Sequence, residues 1–341
     1  MDFPQQEKYM SSKFARSLIL TVFLLGVLPA CGPASVLISP TETRPPSVPT
    51  PLSSATTLPS TPIAEATRTT APASTLVAST TTPTFAPPPH LSQSPDLILA
   101  ANKPARPSSW PGNVVYKLPE TEQVLLAHEL IYFNKMKVDI YYPPDYKFEN
   151  KLPVVILSHG FVETKEYDKD IPSHMDWAKL IAASGMIAVS AQAGENPTEN
   201  FYHVLDYLAA NAGVLGIDMN RIGFWACSTQ GKPMFHALED SKLAYRAGFK
   251  AAVFTYLDLH APDPGIWPKN ISLFVVKAGS DHYIDGSIID HFVANARQNK
   301  ISVEYIELQN APHGFDSMLD TQESKDTIAK ALAFLRSKLL E

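Results

Sequence analysis

The 341-residue sequence predicts an α/β domain built on a mostly parallel central sheet with helices on both faces. Three observations carry this expectation. From Trp110 onward, short apolar runs alternate with apolar residues at helical spacing as far as the C-terminus. Several runs are nearly continuous rather than alternating, as parallel strands covered on both faces require. One of them, Ile222 to Ala226, passes directly through Ser228 into a helical pattern carrying Gly231, Met234, Phe235 and Leu238.

The chain before Trp110 has a different character. Lys8, Lys13 and Arg16 precede an apolar run from Leu18 to Leu28, so residues 1–30 read as a signal peptide. The run is shorter than the roughly 20 residues a membrane span needs. Leu28-Pro-Ala-Cys31 at its end resembles the lipobox of bacterial lipoproteins, which implies cleavage before Cys31, a lipid on that cysteine and an extracytoplasmic, membrane-anchored protein. An ordinary cleavage site followed by a chance cysteine is the alternative. Residues 31–95 are rich in Thr, Ser, Pro and Ala, and no glycine occurs between Gly32 and Gly112. Such a segment buries too little apolar surface to fold. It is expected to be a semi-extended tether, with a reach on the order of 200 Å at ~3.1 Å per residue.

The folded domain is expected over 110–341, large enough for a single core. Val124 to Phe133 and Met136 to Tyr142 read as strands, the second closed by Pro143-Pro144. Leu152 to Phe161 reads as a buried strand ending in His159-Gly160. A helix with Trp177, Leu180 and Ile181 inward stops at Gly185, and Met186 to Ser190 is the next strand. Asn196-Pro197 opens a helix that carries Phe201, Val204, Leu205 and Leu208 and stops at Gly213. After the Ser228 turn and its helix come strands at Phe249 to Tyr256, Ile271 to Ala278 and Val303 to Leu308, with a helix at Ile288 to Ala296. The last helix is expected to open on Asp320 and Glu323 in capping-box spacing. Pro233 fits poorly in a helix that starts near Thr229, because it forfeits a backbone bond.

Strand, tight turn with serine at the apex, and helix make a nucleophile elbow, which lifts a hydroxyl above the sheet edge. The motif is usually G-x-S-x-G, and here it is Ala226-Cys-Ser228-Thr-Gln230. A methyl at 226 is tolerable, whereas the long Gln230 side chain is hard to accommodate where backbones approach closely. A serine hydroxyl needs a base, and the base an orienting carboxylate. Asp281 follows the strand ending at Ala278, and His313 follows the last strand in Pro312-His-Gly-Phe315. The order Ser228, Asp281, His313, each just past a strand, is the order given for α/β-hydrolases.

On these residues, with Pro153 to Phe161 and Gly216 to Gly223, the domain resembles α/β-hydrolases of the dienelactone hydrolase and bacterial esterase group. The resemblance implies an α/β-hydrolase fold, a serine nucleophile acting on carboxylic esters without a cofactor, and an oxyanion hole from the Phe161 and Thr229 amides. The residues between the strands near Tyr256 and Ile271 are too few for a helical cap, so an open site for small or polymer-attached esters is expected.

Other readings stay open on sequence. Ser228 can cap a helix, and Asp281 can be a turn residue with Asp258 as the fallback acid. Cys227 is a rival nucleophile, though a small core cysteine fits better. His159 is read as shaping the oxyanion loop, and His174, His260 and His282 as candidates to line a pocket. A non-catalytic binding domain with a drifted elbow, or a peptidase of the same fold, are the competing functions. The net charge of −6 without basic clusters gives no reason to bind nucleic acid, two cysteines make no disulfide framework, and no metal, phosphate-loop or dinucleotide motif occurs.

Overall fold

The structure, a computed structural model, describes residues 99–100, 112–158, 168–259 and 262–341. The signal-like segment, Cys31, the tether, the stretch from His159 to Tyr167 with Phe161, and His260 lie outside the described residues.

Eight strands form one sheet in the order β1-β2-β4-β3-β5-β6-β7-β8. β1 (Leu125–Phe133) and β2 (Met136–Tyr142) are an antiparallel hairpin. Asn134 and Lys135 form its two-residue turn, both at positive φ (39° and 68°), which suits the right-handed twist of the strands. β2 pairs antiparallel with β4 (Ile187–Ala191). All remaining pairings, through β3 (Leu152–Leu157), β5 (Ile217–Cys227), β6 (Phe249–Thr255), β7 (Ser272–Ala278) and β8 (Ser302–Leu308), are parallel.

Side chains alternate along the central strands and build two cores. Val154, Ile156, Phe224 and Ala226 face a cluster closed by α2 (Pro197–Asn211), α3 (Lys232–Glu239) and α4 (Gly286–Gln298). Val155, Leu157, Trp225 and Cys227 face the other, closed by α1 (Pro172–Ala183) and α5 (Gln322–Leu339). The apolar runs of β3 and β5 thus serve both faces, which is why they lack strict alternation.

Two local expectations change. The N-cap of α5 is Thr321, whose hydroxyl accepts from the Ser324 N–H at 3.3 Å, while Asp320 pairs with Lys325 at 2.6 Å. The cap thus falls one residue later than the capping-box reading, on the Ser324 amide rather than that of Glu323. Pro233 is not misplaced either. A 3-10 turn spans Ser228–Gly231 and α3 begins only at Lys232, so Pro233 falls in the first turn, where its missing N–H would have no partner anyway.

An ionic cluster centred on buried Lys169 ties the hairpin to the segment entering α1. Lys169, 1% exposed, donates to Asp139 (3.1 Å), Asp170 (2.9 Å) and Glu129 (2.8 Å). Glu129 sits at positive φ where the register of β1 shifts, and its N–H donates to Asp139 at 2.9 Å. Burial raises the Glu129 carboxyl, but hydrogen bonds from Lys137 and Lys169 outweigh it and hold the group at about 2. Among the described residues no helix is long and apolar enough to cross a membrane.

Candidate active site

β5 ends at Cys227 in extended conformation, and the chain then turns sharply at Ser228, whose φ is +54°. A left-handed conformation costs a non-glycine residue about 1–2 kcal/mol, so the surroundings must enforce it. They do so through the backbone: the Ser228 carbonyl accepts from Asp258 N–H at 2.7 Å, and the Gln230 carbonyl accepts from the Ser158 hydroxyl at 2.6 Å. The turn is thereby fastened to the ends of β6 and β3. Ser228 is half-buried and Thr229 exposed.

Both replaced glycine positions are accommodated. Ala226 is fully buried in the α2–α4 core. Gln230 turns inward, 9% exposed, and its side-chain oxygen accepts from His174 Nε2 at 2.7 Å and from the Cys227 thiol at 3.4 Å. The close approach falls one residue later. A Cβ on Gly231 would meet the Phe235 ring at 2.7 Å and Leu257 at 2.8 Å. Sequence reasoning offered His174 as a pocket-lining residue; it lies under the elbow instead, 2% exposed, edge-on to Trp225. Burial lowers its imidazole to about 4, against an upward pull from the Gln230 hydrogen bond, so His174 is neutral near pH 7.

The loops after β7 and β8 are laced together, and this brings Asp281 beside His313. Gly279 N–H donates to Leu308 O (2.8 Å) and Ser280 N–H to Ala311 O (3.0 Å). A Cβ on Gly279 would stand 2.5 Å from the Gln309 carbonyl oxygen, so only glycine permits this contact. Asp281 Oδ1 accepts from the N–H groups of Tyr283 (2.8 Å) and Ile284 (3.1 Å). Its Oδ2 lies 2.8 Å from His313 Nδ1, and His313 Nε2 lies 2.9 Å from Ser228 Oγ. Asp281 is therefore a turn residue and the partner of His313 at once. A carboxylate can only accept, so Nδ1 carries the proton and Nε2 is left to accept from the serine hydroxyl.

Two tyrosines pack against His313. Tyr256, 5% exposed, packs with ring centroids 4.7 Å apart, and Tyr283, 60% exposed, at 5.2 Å. Asp258 meets the elbow through its backbone N–H, and His282 is exposed. Burial and the nearby Asp316 carboxylate push the Cys227 thiol far up, against a hydrogen bond with Tyr256, so no thiolate is available there. Of the two expected oxyanion donors, Thr229 stands next to Ser228 on the turn and Phe161 lies outside the described residues. Among the described residues, no group of three or more His, Cys, Asp or Glu is arranged to hold a metal ion.

Solved structures share this architecture. Thermogutta terrifontis esterase 2, in a form phosphorylated by paraoxon, superposes with a TM-score of 0.51 at 14% identity, covering 64% of this chain and 95% of that one. The chain has the α/β-hydrolase fold. MGS-M1, an α/β hydrolase enzyme from a Medee basin deep-sea metagenome library, matches with a TM-score of 0.52 at 16% identity over 64% of this chain and 99% of its own. A protein assigned as a dienelactone hydrolase from Klebsiella pneumoniae subsp. pneumoniae matches with 0.51 at 16% identity, over 62% and 98%. Neither the protein-family models nor the curated proteins include a match. In this α/β-hydrolase fold, the stretch between β6 and β7 holds only a 3-10 turn at Pro264–Ile266 among the described residues.

Proposed function

We propose that the domain is a serine hydrolase that cleaves carboxylic esters through an acyl-enzyme. The observation that carries this reading is the continuous chain from Ser228 Oγ to His313 Nε2 (2.9 Å) and from His313 Nδ1 to Asp281 Oδ2 (2.8 Å), with the serine at a strained apex. Ser228 Oγ bonds to the ester carbonyl carbon as its proton moves to His313 Nε2. The imidazolium so formed is stabilised by Asp281 and returns the proton to the departing alkoxide. Water, deprotonated by the same nitrogen, then releases the acid and restores the hydroxyl. The Thr229 and Phe161 amides are assigned to the oxyanion, where loss of one donor costs about 10²–10³-fold in rate. The three structural neighbours, an esterase, an α/β hydrolase enzyme and an assigned dienelactone hydrolase, support the reaction class. The short β6–β7 connection favours small or polymer-attached esters over buried lipid.

The binding-domain alternative drew on Ala226 and Gln230. Both are housed without displacing Ser228, which favours catalysis. The deciding experiment is labelling by a fluorophosphonate probe in the wild type, Ser228→Ala and Cys227→Ala. Labelling lost only in Ser228→Ala establishes the activated serine; an unlabelled, folded wild type sinks the reading.

The N-terminal segments complete the proposal: signal peptide 1–30, lipid on Cys31 and a tether over 31–95 holding the domain 110–341 off a membrane outside the cytoplasm. Expression in a bacterial host with a radiolabelled fatty acid tests it. Label absent from the wild type, or retained in Cys31→Ser, would refute the anchor.

A further inference from the structure

A second carboxylate stands behind the histidine. Asp316 is 1% exposed and lies on the single helical turn Phe315–Met318 that follows His313, past Gly314 at φ +71°. Three distant segments converge on it. Its Oδ2 accepts from Trp177 Nε1 of α1 at 2.7 Å, its Oδ1 from the Tyr256 hydroxyl past β6 at 2.7 Å, and its backbone carbonyl from Val115 N–H at 2.8 Å. Tyr256 is the residue whose ring packs on His313, and the same ring meets Phe315 edge-on at 5.6 Å. A turn by itself needs no buried acid, and desolvating a carboxylate is expensive unless it is well paired. Here both oxygens are paired, and one of the two donors, Tyr256, also packs on the imidazole.

We infer that Asp316 is a positioning residue for His313: through Tyr256 and the turn it shares with the histidine, it fixes the imidazole over Ser228, and its charge adds to that of Asp281 in favouring the imidazolium. This rests on the hydrolase reading for its catalytic consequence. Burial holds the Asp316 carboxyl above its ordinary range, and hydrogen bonds from Trp177 and Tyr256, together with the charge of His313, limit that rise; both oxygens accept, which suits the carboxylate form. The ionisable groups around Asp316 are Cys227, Tyr256 and His313. Among the described residues, those against His313 are Asp281, Ser228, Tyr256 and Tyr283. Asp176, next to Trp177 on α1, is engaged with Val114 N–H and Lys117.

The test compares the full-length wild type with Asp316→Asn, Tyr256→Phe and Trp177→Phe, using a chromogenic acetate ester. Asp316→Asn should lower kcat about 10–100-fold with KM within about twofold, as expected when a catalytic group is displaced slightly rather than removed. It should also move the acid limb of the kcat/KM profile to lower pH by roughly half a unit, because a negative charge beside the imidazolium has gone. Tyr256→Phe and Trp177→Phe should move the limb the same way by less, and they carry the test if Asp316→Asn does not fold. A folded variant set that is slower with the limb unmoved would make Asp316 merely structural and overturn the inference. If the wild type takes no fluorophosphonate, the hydrolase reading fails by itself. The His313 imidazole titration, followed by NMR, then decides: a midpoint lowered in Asp316→Asn upholds the junction, and an unmoved one overturns it.

Discussion

The molecule contains two clusters of acidic and basic side chains that look alike on paper and differ in kind. At the Lys169 centre each charge faces an opposite one, with Lys169 and Asp139 buried at 1% and 0% exposure and Glu129 at the margin. At the Ser228 centre the buried acid and imidazole, Asp281 and His313 at 3% and 7%, end in a half-buried hydroxyl at the surface. The lesson is that burial of charge is not itself a sign of chemistry. What distinguishes a reactive site is an ordered hydrogen-bonded line with a strained, reachable group at one end. The first cluster joins a hairpin to a helix, and the second joins the carboxyl ends of three strands.

That contrast can be broken most sharply at Asp281. Asp281→Asn should reduce kcat about 10⁴-fold, because the amide can present an N–H to Nδ1 and reverse the tautomer that His313 needs. Its melting temperature should stay close to that of the wild type, and a collapse of the fold with loss of activity would instead make Asp281 structural. Lys169→Met is the mirror experiment. It removes the Lys169 cation from the buried Asp139 and Asp170 and should destabilise the domain by about 3–5 kcal/mol in urea unfolding, while the folded fraction keeps the wild-type labelling by the fluorophosphonate probe. A change below about 1 kcal/mol would show that the cluster is not needed for stability.

Acid should act first through neither cluster but through the buried histidines, His174 and, in the same direction, His203, whose imidazole burial also holds below its ordinary value. The folded value of about 4 for His174 lies below its ordinary 6.5, so the unfolded chain binds more protons between those values. The fold is therefore fully favoured above pH 6.5 and loses about 3 kcal/mol as pH falls to 4. Glu129, held at about 2 against an ordinary 4.5, adds a separate loss only as pH drops below 4.5 toward 2. His174→Gln should flatten the stability profile between pH 6.5 and 4, and an unchanged slope would assign the effect elsewhere. The smallest expected effect is Gln230→Gly. It restores the usual motif but leaves the His174 N–H without its acceptor, at about 1–3 kcal/mol. Stabilisation by this change would contradict the account of Gln230 as a paired residue.

Much of this was legible in the sequence. Period and composition determined the α/β class, because strands covered on both faces need continuous apolar runs and helices need apolar residues three and four apart. Strand ends also determined where to look for Ser228, Asp281 and His313, since a parallel sheet gathers its carboxyl ends at one edge. Asn196 capping α2 was equally readable, because a cap is a local event. Tertiary structure decided the rest, and for one reason: these outcomes depend on partners far away in the chain. Gln230 looked awkward at the elbow because nothing nearby reveals His174, 56 residues earlier, as its donor. Pro233 looked misplaced because the start of α3 is delayed by a 3-10 turn that Asp258 fastens at Ser228 and Ser158 at Gln230. Asp316 drew no notice beside His313, because its role lies in Trp177 and Tyr256, 139 and 60 residues away, brought to it only when the sheet closes.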